Sequence, residues 1–563
     1  MTTREFSDYF KTTLFGVFLV VFPLFYGNFS HIFRNEIIYC GTLFLLCAFV
    51  IAGLTRNLLT NTVAVGIAGQ ARNDVRLLDA AIIAFLLCGI LNIIFIKNNE
   101  IDRFILYKWA AVAGCYFVVK HLNNKQILLY FFVLSGVAQS IIAFLQKAGI
   151  LASNNMMFAV SGSFGNPGQL GGYLAVCAVV SICLLINSIK SKNKLSACLL
   201  TVGVIIQFLG LYFADSRAAL VGLMLGMVVF FIPTIKKHKQ LFFSIIAISM
   251  IVVGVVLYSY RPASANGRLL IWRVSTEMIA DKPFFGHGIG AFSEKYMLYQ
   301  ANYFSENPNS VFVPVADNVA FPFNELLNVT IQQGIVGLLL LLAIFYFAFR
   351  SKGSWIFKAA LAALLVFSMF SYPAEVFPIL LLFAVCLGAL GTQMTQITRI
   401  FADKNKLKPV LFVCIGLIAC YFSIKNIVFL DNVSKNISNH EYYEKMQYNR
   451  TYHDYYMDWL IEQPISEHSK RIENILPSCE NYCLLAEYFS AKKNHEQAET
   501  TLRSAIDMIP TRIRPKYQLW QLYVETENVP AAREMAQKII DTPVKVESIY
   551  TLKIKAQLKK HPQ

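Results

Sequence analysis

Apolar residues fill most of this chain in long blocks, and polar residues are confined to the gaps between them. Roughly 17 to 20 apolar residues are enough to cross a bilayer as a helix. Such windows recur near 12–26, 36–54, 77–96, 104–119, 127–146, 168–187, 196–213, 218–234, 241–259, 325–349, 356–372, 376–391 and 409–425. The pattern predicts an all-α protein, a polytopic transmembrane helical bundle of about 13 spans. Two polar stretches interrupt it. One is a long loop, 261–321, set between two blocks of spans, and the other is everything beyond Phe429, where hydropathy drops sharply at Leu430-Asp431-Asn432. The expected domains are a membrane domain over 1–429 with the 261–321 loop, a polar, Tyr-rich helical connector over 430–478, and a helical domain over 479–563.

In that last domain Tyr482, Leu485, Ala486 and Phe489 mark one helix, Ala498, Leu502 and Ala505 the next, and Pro510 closes the unit. The offsets resemble the 34-residue tetratricopeptide pattern, in which small residues let paired helices approach and aromatics fill the groove. A shift of 34 puts Leu519, Tyr523 and Ala532 in place, with Trp520 where a small residue is usual. A C-terminal helical repeat domain is the expectation, and a generic helical hairpin bundle is the alternative.

Hydrophobic residues make up 56% of the chain and charged residues 15%, which excludes an ordinary soluble protein. The net charge of +16 would suggest nucleic acid if it formed a patch. It lies instead in alternate short loops, such as Lys190, Lys192 and Lys194, or Lys236, Lys237 and Lys239. Basic loops stay cytoplasmic, so the alternation predicts a cytoplasmic N-terminus, with the long loop and the tail outside. The first apolar run, preceded by Arg4 and Lys11, has no small-residue cleavage site after Phe25 and reads as a retained anchor. Ten of the 12 cysteines fall inside apolar windows, and the other two, Cys479 and Cys483, lack the partners that a metal site needs. A C-x3-C pair on one helix also fits a disulfide poorly. No metal or cofactor motif stands out.

The span interiors carry almost no charge, which argues against an ion-coupled transporter. A transporter or flippase for lipid-linked glycans would also want a cation-lined cavity and internal repeats. Polar chemistry gathers at the outer edge in three places. The first is Ser161-Gly162-Ser163-Phe164-Gly165-Asn166-Pro167-Gly168-Gln169, where Asn166 and Gln169 offer hydrogen bonds; it reads equally as a substrate-contacting turn or as an ordinary helix cap. The second is Asp215-Ser216-Arg217, in a tight hairpin where an arginine needs an anion, either a phosphate or, in the plainer reading, a lipid headgroup or Asp215. The third is the long loop, with Arg268 and Trp272 on one predicted helix, then Asp281-Lys282-Pro283-Phe284-Phe285-Gly286-His287-Gly288-Ile289-Gly290, Asp317-Asn318 and Asn324-Glu325. A guanidinium is a rigid fork suited to phosphate, so two outward arginines are candidates for gripping a lipid diphosphate. His287, between glycines, reads as loop structure rather than a base.

The ordered set F-G-N-P-x-Q-L-G, D-S-R-A-A-L, G-R-L-x-I-W, D-K-P-x-x-G-x-G-x-G and F-N-E-L-L, over roughly 155–395, resembles the O-antigen ligase and polymerase superfamily. The resemblance implies a metal-independent, cofactor-free glycosyltransferase of the bacterial inner membrane. Its donor would be an undecaprenyl-diphosphate-linked glycan, and its acceptor lipid A–core, a growing polymer or a protein. By that analogy Arg217 and Arg268 hold the diphosphate, while Ser216, Trp272, Asn318 and Asn324 join Asn166 and Gln169 in contacting substrate. The family ligases carry a histidine before the asparagine of the last motif, where this chain has Phe323. Asp317 and Glu325 are therefore the carboxylates left as bases, with Asp317 ranked first because Glu325 could serve only to favour a helix N-terminus. The tail is expected to recruit the acceptor or a protein partner.

Overall fold

The computed structural model describes residues 3–26, 69–96, 103–155, 157–235, 261–391, 477–544 and 548–560, with a few more near 44 and 254. The window 409–425, most of the windows 36–54 and 241–259, and nearly all of the connector 430–478 lie outside them. All regular structure among the described residues is helical. We number the helices α1 (Thr3–Leu24), α2 (Gly69–Phe95), α3 (Arg103–His121), α4 (Ile127–Lys147), α5 (Pro167–Lys190), α6 (Lys194–Ala214) and α7 (Arg217–Phe231). There follow α8 (Pro262–Asp281), α9 (Ala291–Glu306), α10 (Glu325–Arg350), α11 (Trp355–Ser368) and α12 (Phe377–Leu390). The tail contributes α13 (Cys479–Ala491), α14 (His495–Met508), α15 (Ile513–Glu525), α16 (Val529–Asp541) and α17 (Ile549–Lys560).

Among the described residues, six helices are long and apolar enough to cross a membrane: Leu77–Phe95, Ile127–Lys147, Pro167–Lys190, Lys194–Ala214, Arg217–Thr234 and Glu325–Arg350. Tyr9–Leu24, Trp355–Ser368 and Phe377–Leu390 are apolar but shorter. The last two are cut short by the 3-10 turn Pro373–Glu375 between them. The larger number of spans expected from the sequence depends partly on windows outside the described residues.

Contacts divide the chain into two compact units, Met1–Leu87 with Asp102–Ile248 and Leu339–Asn436, and Cys88–Ile101 with Ser249–Leu338 and Ile437–Gln563. The first unit is a helical bundle around α5, which is buried along most of its length. Glycines bring its helices close. A Cβ at Gly222 of α7 would lie 2.8 Å from the Ala363 carbonyl of α11, and one at Gly226 would lie 2.8 Å from that of Ala359. This is the small-residue contact through which membrane helices gain van der Waals packing without a hydrophobic driving force. Polar groups inside the bundle are matched. Gln207 donates to the Val133 carbonyl at 3.0 Å and accepts from Ser181 at 3.0 Å. Lys120 and Tyr116 both reach Asp79, and Lys108 meets Glu375 at 3.2 Å. Buried charges therefore do occur in this unit, and these two lysines each sit beside a carboxylate, as an apolar medium demands.

In the second unit the loop helices and the tail share one core. Leu270, Ile271, Val274 and Met278 of α8 and Phe292, Tyr296, Met297 and Phe304 of α9 pack with Cys479, Cys483, Ala505, Met508 and Ile509 of the tail. The Gln300 side chain donates to the Met508 carbonyl at 2.7 Å. The tail forms two helical hairpins, α13–α14 and α15–α16, whose first helices start 34 residues apart, at Cys479 and Ile513, as do their second helices, at His495 and Val529. Cys479 and Cys483 are free, buried thiols.

Candidate functional site

In the first unit the hairpin between α6 and α7 is as tight as the sequence suggested. Asp215 ends α6 in the left-handed region (φ 44°), and Ser216 starts α7 without making a capping bond. Arg217 is thus the first residue of α7. A Cβ at Gly171 would lie 2.3 Å from that of Ser216, so α5 and α7 begin side by side at the same end of the bundle. Asn166 caps α5, accepting from Gly168 N at 2.7 Å, and Gln169 hydrogen-bonds Tyr372. Arg217 therefore stands in one helix N-terminus with the start of α5 alongside, and helix N-termini are centres of partial positive charge suited to an anion.

The glycine turn ahead of α5 is held from within. Gln146 Oε1 of α4 accepts from Ser161 N at 2.9 Å and Gly162 N at 2.8 Å, and its Nε2 donates to Gly162 O at 2.8 Å. Gln139, fully buried, accepts from Ser163 N at 3.1 Å. Of the two readings of this segment, scaffolding accounts for Ser161 to Ser163, and Asn166 is the cap.

In the second unit α8 buries Leu270, Ile271, Val274 and Met278 on one face. Arg268 and Trp272, four apart, share a flank beside it. Trp272 Nε1 donates to the Pro322 carbonyl at 3.1 Å, and the Arg268 guanidinium lies over the Phe323 ring at 5.7 Å. Phe323 takes positive φ (52°), bending the chain sharply into α10. Asn324 then caps α10, accepting from Leu326 N at 3.0 Å and Leu327 N at 3.2 Å. Arg268, Trp272, Phe323, Asn324 and Glu325 thus gather around one bend.

The two candidate bases have different surroundings. Asp317 is nearly half exposed and pairs with Arg512 of the tail at 3.1 Å. Its neighbour Asn318 donates to Glu480 and accepts from Cys479 N at 3.2 Å, so this pair fastens the loop to the tail. Glu325 is buried and accepts from Asn328 Nδ2 at 3.1 Å. Asn324 supplies the side-chain cap, and Glu325 stands in the first turn of α10, where its charge also favours the helix N-terminus. Burial and the Asn328 contact are what set Glu325 apart from the half-exposed Asp317.

The turn at 283–290 docks into α10 itself. The helix is broken at Gly334 (φ 66°, ψ −165°). In an unbroken helix Ile335 N and Val336 N would bond Ile331 O and Gln332 O. Instead they donate to Pro283 O at 2.8 Å and Phe284 O at 3.3 Å, while His287 N and Gly288 N donate to Ile331 O at 2.8 Å and Gln332 O at 3.0 Å. The turn satisfies the groups that the break releases. Only glycine permits it, since a Cβ at Gly286 would lie 2.5 Å from Gln332 C and one at Gly334 would lie 2.1 Å from Phe284 O. His287 Nε2 meets the Met278 carbonyl at 2.7 Å, and burial lowers its pKa.

Sequence reasoning missed Asn92, near the end of α2. Its Nδ2 donates to Phe285 O at 2.8 Å and Gln332 O at 3.1 Å, and its Oδ1 accepts from Ile289 N at 3.0 Å. An asparagine inside an apolar window was the available signal. Among the described residues no group of three or more His, Cys, Asp or Glu converges as for a metal ion.

An O-antigen ligase family model matches residues 202–342, a region that contains Arg217, Arg268, Asp317 and Glu325. A protein of Rickettsia conorii named as a candidate polysaccharide ligase is 27% identical over 188 residues, which cover 31% of this chain and 43% of the relative. A Rickettsia felis protein of the same description shows the same identity and coverage, so the chain spans less than half the length of these two. One from Rickettsia typhi is 25% identical over 293 residues, 46% of this chain and 70% of the relative. No solved structure matches. The described residues form a multi-helix protein with spans long and apolar enough to cross a membrane. Its region 202–342 is similar to the O-antigen ligase family, and part of the chain is similar to the proteins named as candidate polysaccharide ligases.

Proposed function

We propose that this chain is a glycan ligase of the bacterial inner membrane, transferring an O-antigen-type glycan from undecaprenyl diphosphate to a periplasmic acceptor such as lipid A–core. The observation that carries this reading is the bend at Phe323, where the cation Arg268 and the buried carboxylate Glu325 share one neighbourhood inside the family-matched region. In the reaction the acceptor hydroxyl oxygen attacks the anomeric carbon of the donor sugar. The bond from that carbon to the diphosphate oxygen breaks, and the hydroxyl proton passes to Glu325. Undecaprenyl diphosphate leaves with the bonding electron pair, and a preplaced guanidinium meets its negative charge; Arg268 and Arg217 are the two candidates for that role. Preplaced cations aimed at developing charge are typically the largest catalytic contribution.

Asn166, Gln169, Ser216, Trp272 and Asn324 would contact the glycan or its diphosphate, without a metal or organic cofactor. The tail, its helices spaced like tetratricopeptide repeats, would receive the acceptor or a protein partner, and Asp317 and Asn318 would hold it to the loop. In orientation, the N-terminus is cytoplasmic and the loop and tail are periplasmic.

The test is the surface-glycan profile of a strain lacking this chain. Loss of long-chain lipopolysaccharide, with lipid-linked polymer accumulating, is expected. A ladder cut to single repeats would mean polymerase, and unmodified glycoproteins would mean protein glycosylation. In the restored strain Arg217→Ala or Arg268→Ala should lower transfer on the order of 10²–10³-fold, and Lys at either place should recover part of it.

A further inference from the structure

The first half of α10 carries a line of side-chain amides that ends on Glu325. Residues 325, 328 and 332 are spaced by three and four, so they share one face of the helix. Asn328 Nδ2 donates to Glu325 Oε2 at 3.1 Å, and Gln332 Nε2 donates to Asn328 Oδ1 at 2.5 Å. Gln332 Oε1 in turn accepts from Gly290 N at 3.1 Å, in the glycine turn. Asn92 closes the far end, bonding Gln332 O, Phe285 O and Ile289 N. The Asn328 and Gln332 amides point the same way, donor towards Glu325 and acceptor towards the turn, while Asn92 ties the Gln332 backbone to that turn. A hydrogen-bonded line of this sort orients its terminal group and polarises each bond along it.

We propose that Asn328, Gln332 and Asn92 are positioning residues that hold the Glu325 carboxylate in its proton-accepting orientation, with the glycine turn as their anchor. The proposal rests on the reading of Glu325 as the base. It also gives the 283–290 motif a task that its sequence does not reveal, as the fixed end of a relay. The break at Gly334 follows from the same design, because it releases the carbonyls on which the turn and Asn92 dock.

A donor aimed at a carboxylate favours its charged form, and removing that donor raises the pKa of the acid. A base works only when ionised, so its titration sets the acid limb of the rate profile. The experiment follows initial transfer rates of the full chain, reconstituted in lipid vesicles with lipid-linked glycan and acceptor, between about pH 5 and 9. Asn328→Leu should move the acid limb upward by roughly half a pH unit or more, a loss of about threefold on that limb that is recovered at high pH. Asn328→Asp, which keeps the shape and adds a negative charge beside Glu325, should move it further. Gln332→Leu should move it less.

A uniform loss across pH, with the limb unmoved in Asn328→Asp, would overturn the relay, and the near-isosteric substitution guards against a trivial folding defect. Glu325→Gln separates the two claims. If it retains near-normal transfer, Glu325 is not the base and both readings fall. If it is inactive while the limb stays fixed in the Asn328 variants, the relay alone falls.

Discussion

Two glycine-rich turns, one in each unit, are built by the same device and end differently. At 161–163 the backbone is clamped by Gln139 and Gln146 of one neighbouring helix, and the chain goes on to Asn166, which caps α5. At 283–290 the clamp is Asn92 and Gln332, and the hydrogen bonds continue through Asn328 to a buried carboxylate. Both turns are glycine-rich stretches next to apolar windows, and in sequence they look alike. What separates scaffold from candidate site is where the polar chain terminates, and that is a property of three dimensions.

The comparison breaks most sharply at the glycines. Gly334→Ala puts a Cβ 2.1 Å from a backbone carbonyl oxygen and leaves alanine at φ 66°, ψ −165°. Backbone strain of about 1–3 kcal/mol and overpacking of about 1–3 kcal/mol add, for a loss of roughly 3 kcal/mol or more. Gly162→Ala also faces positive φ (62°), but its nearest neighbour is the end of the Leu170 side chain at 2.7 Å, which is able to rotate away. Its expected cost is about 1–2 kcal/mol. Thermal unfolding of both variants in detergent checks the order, and equal losses would mean that α10 yields at its break.

Next comes Gln146→Leu. It leaves Ser161 N and Gly162 N buried without their acceptor, at about 1–3 kcal/mol for each group that finds no other partner. Because this turn is scaffold, the variant should unfold at lower temperature while the pH profile of the remaining transfer keeps its shape. A shifted acid limb would place the first turn in the site as well.

The helices were legible because a membrane span announces itself by composition, and each predicted window that the structure describes falls on a helix. Of the candidate site, spacing within one helix was legible, and partners far apart in the chain were not. Arg268 and Trp272 sit four apart on one helix, a spacing that sequence conveys. Asp317 could not be judged, since its partner Arg512 is 195 residues away. Gly334 was hidden because glycine is common inside membrane helices, and the partners that demand it lie in a remote turn. Asn92 was hidden by its apolar surroundings.

A subtler contrast involves protons. The first turn has no titratable group, whereas the second holds His287, buried against the Met278 carbonyl, with Tyr299 edge-on and Lys282, Lys295 and Asp281 around it. Burial, the largest influence, lowers the imidazole pKa, and the two lysines act in the same direction. The unfolded chain therefore takes up its proton first as pH falls. Stability from this group is complete above the ordinary value of about 6.5 and declines as pH drops below it, until the folded imidazole is also protonated. His287→Gln, which keeps a donor for the Met278 carbonyl, should remove this decline from unfolding curves measured between about pH 4 and 7. An unchanged decline would assign it to other groups.

The smallest expected effect concerns the link between loop and tail. Arg512 touches Asp317 at 3.1 Å and Glu480 at 3.7 Å, but the guanidinium and both carboxylates are nearly half exposed. Solvent screens such pairs, so Arg512→Ala should cost roughly 1 kcal/mol or less. The shared apolar core, with Met508 and Ile509 packed in the same cluster as Tyr296 and Phe304, holds the two parts together without it. The consequence for chemistry is sharper than that for stability. If Asp317 only fastens the tail, Arg512→Ala and Asp317→Asn should each leave transfer within about threefold of normal, under 1 kcal/mol of barrier. A collapse of transfer in Asp317→Asn, in a protein that still unfolds at its usual temperature, would restore Asp317 as the base and leave Glu325 as the end of a structural relay.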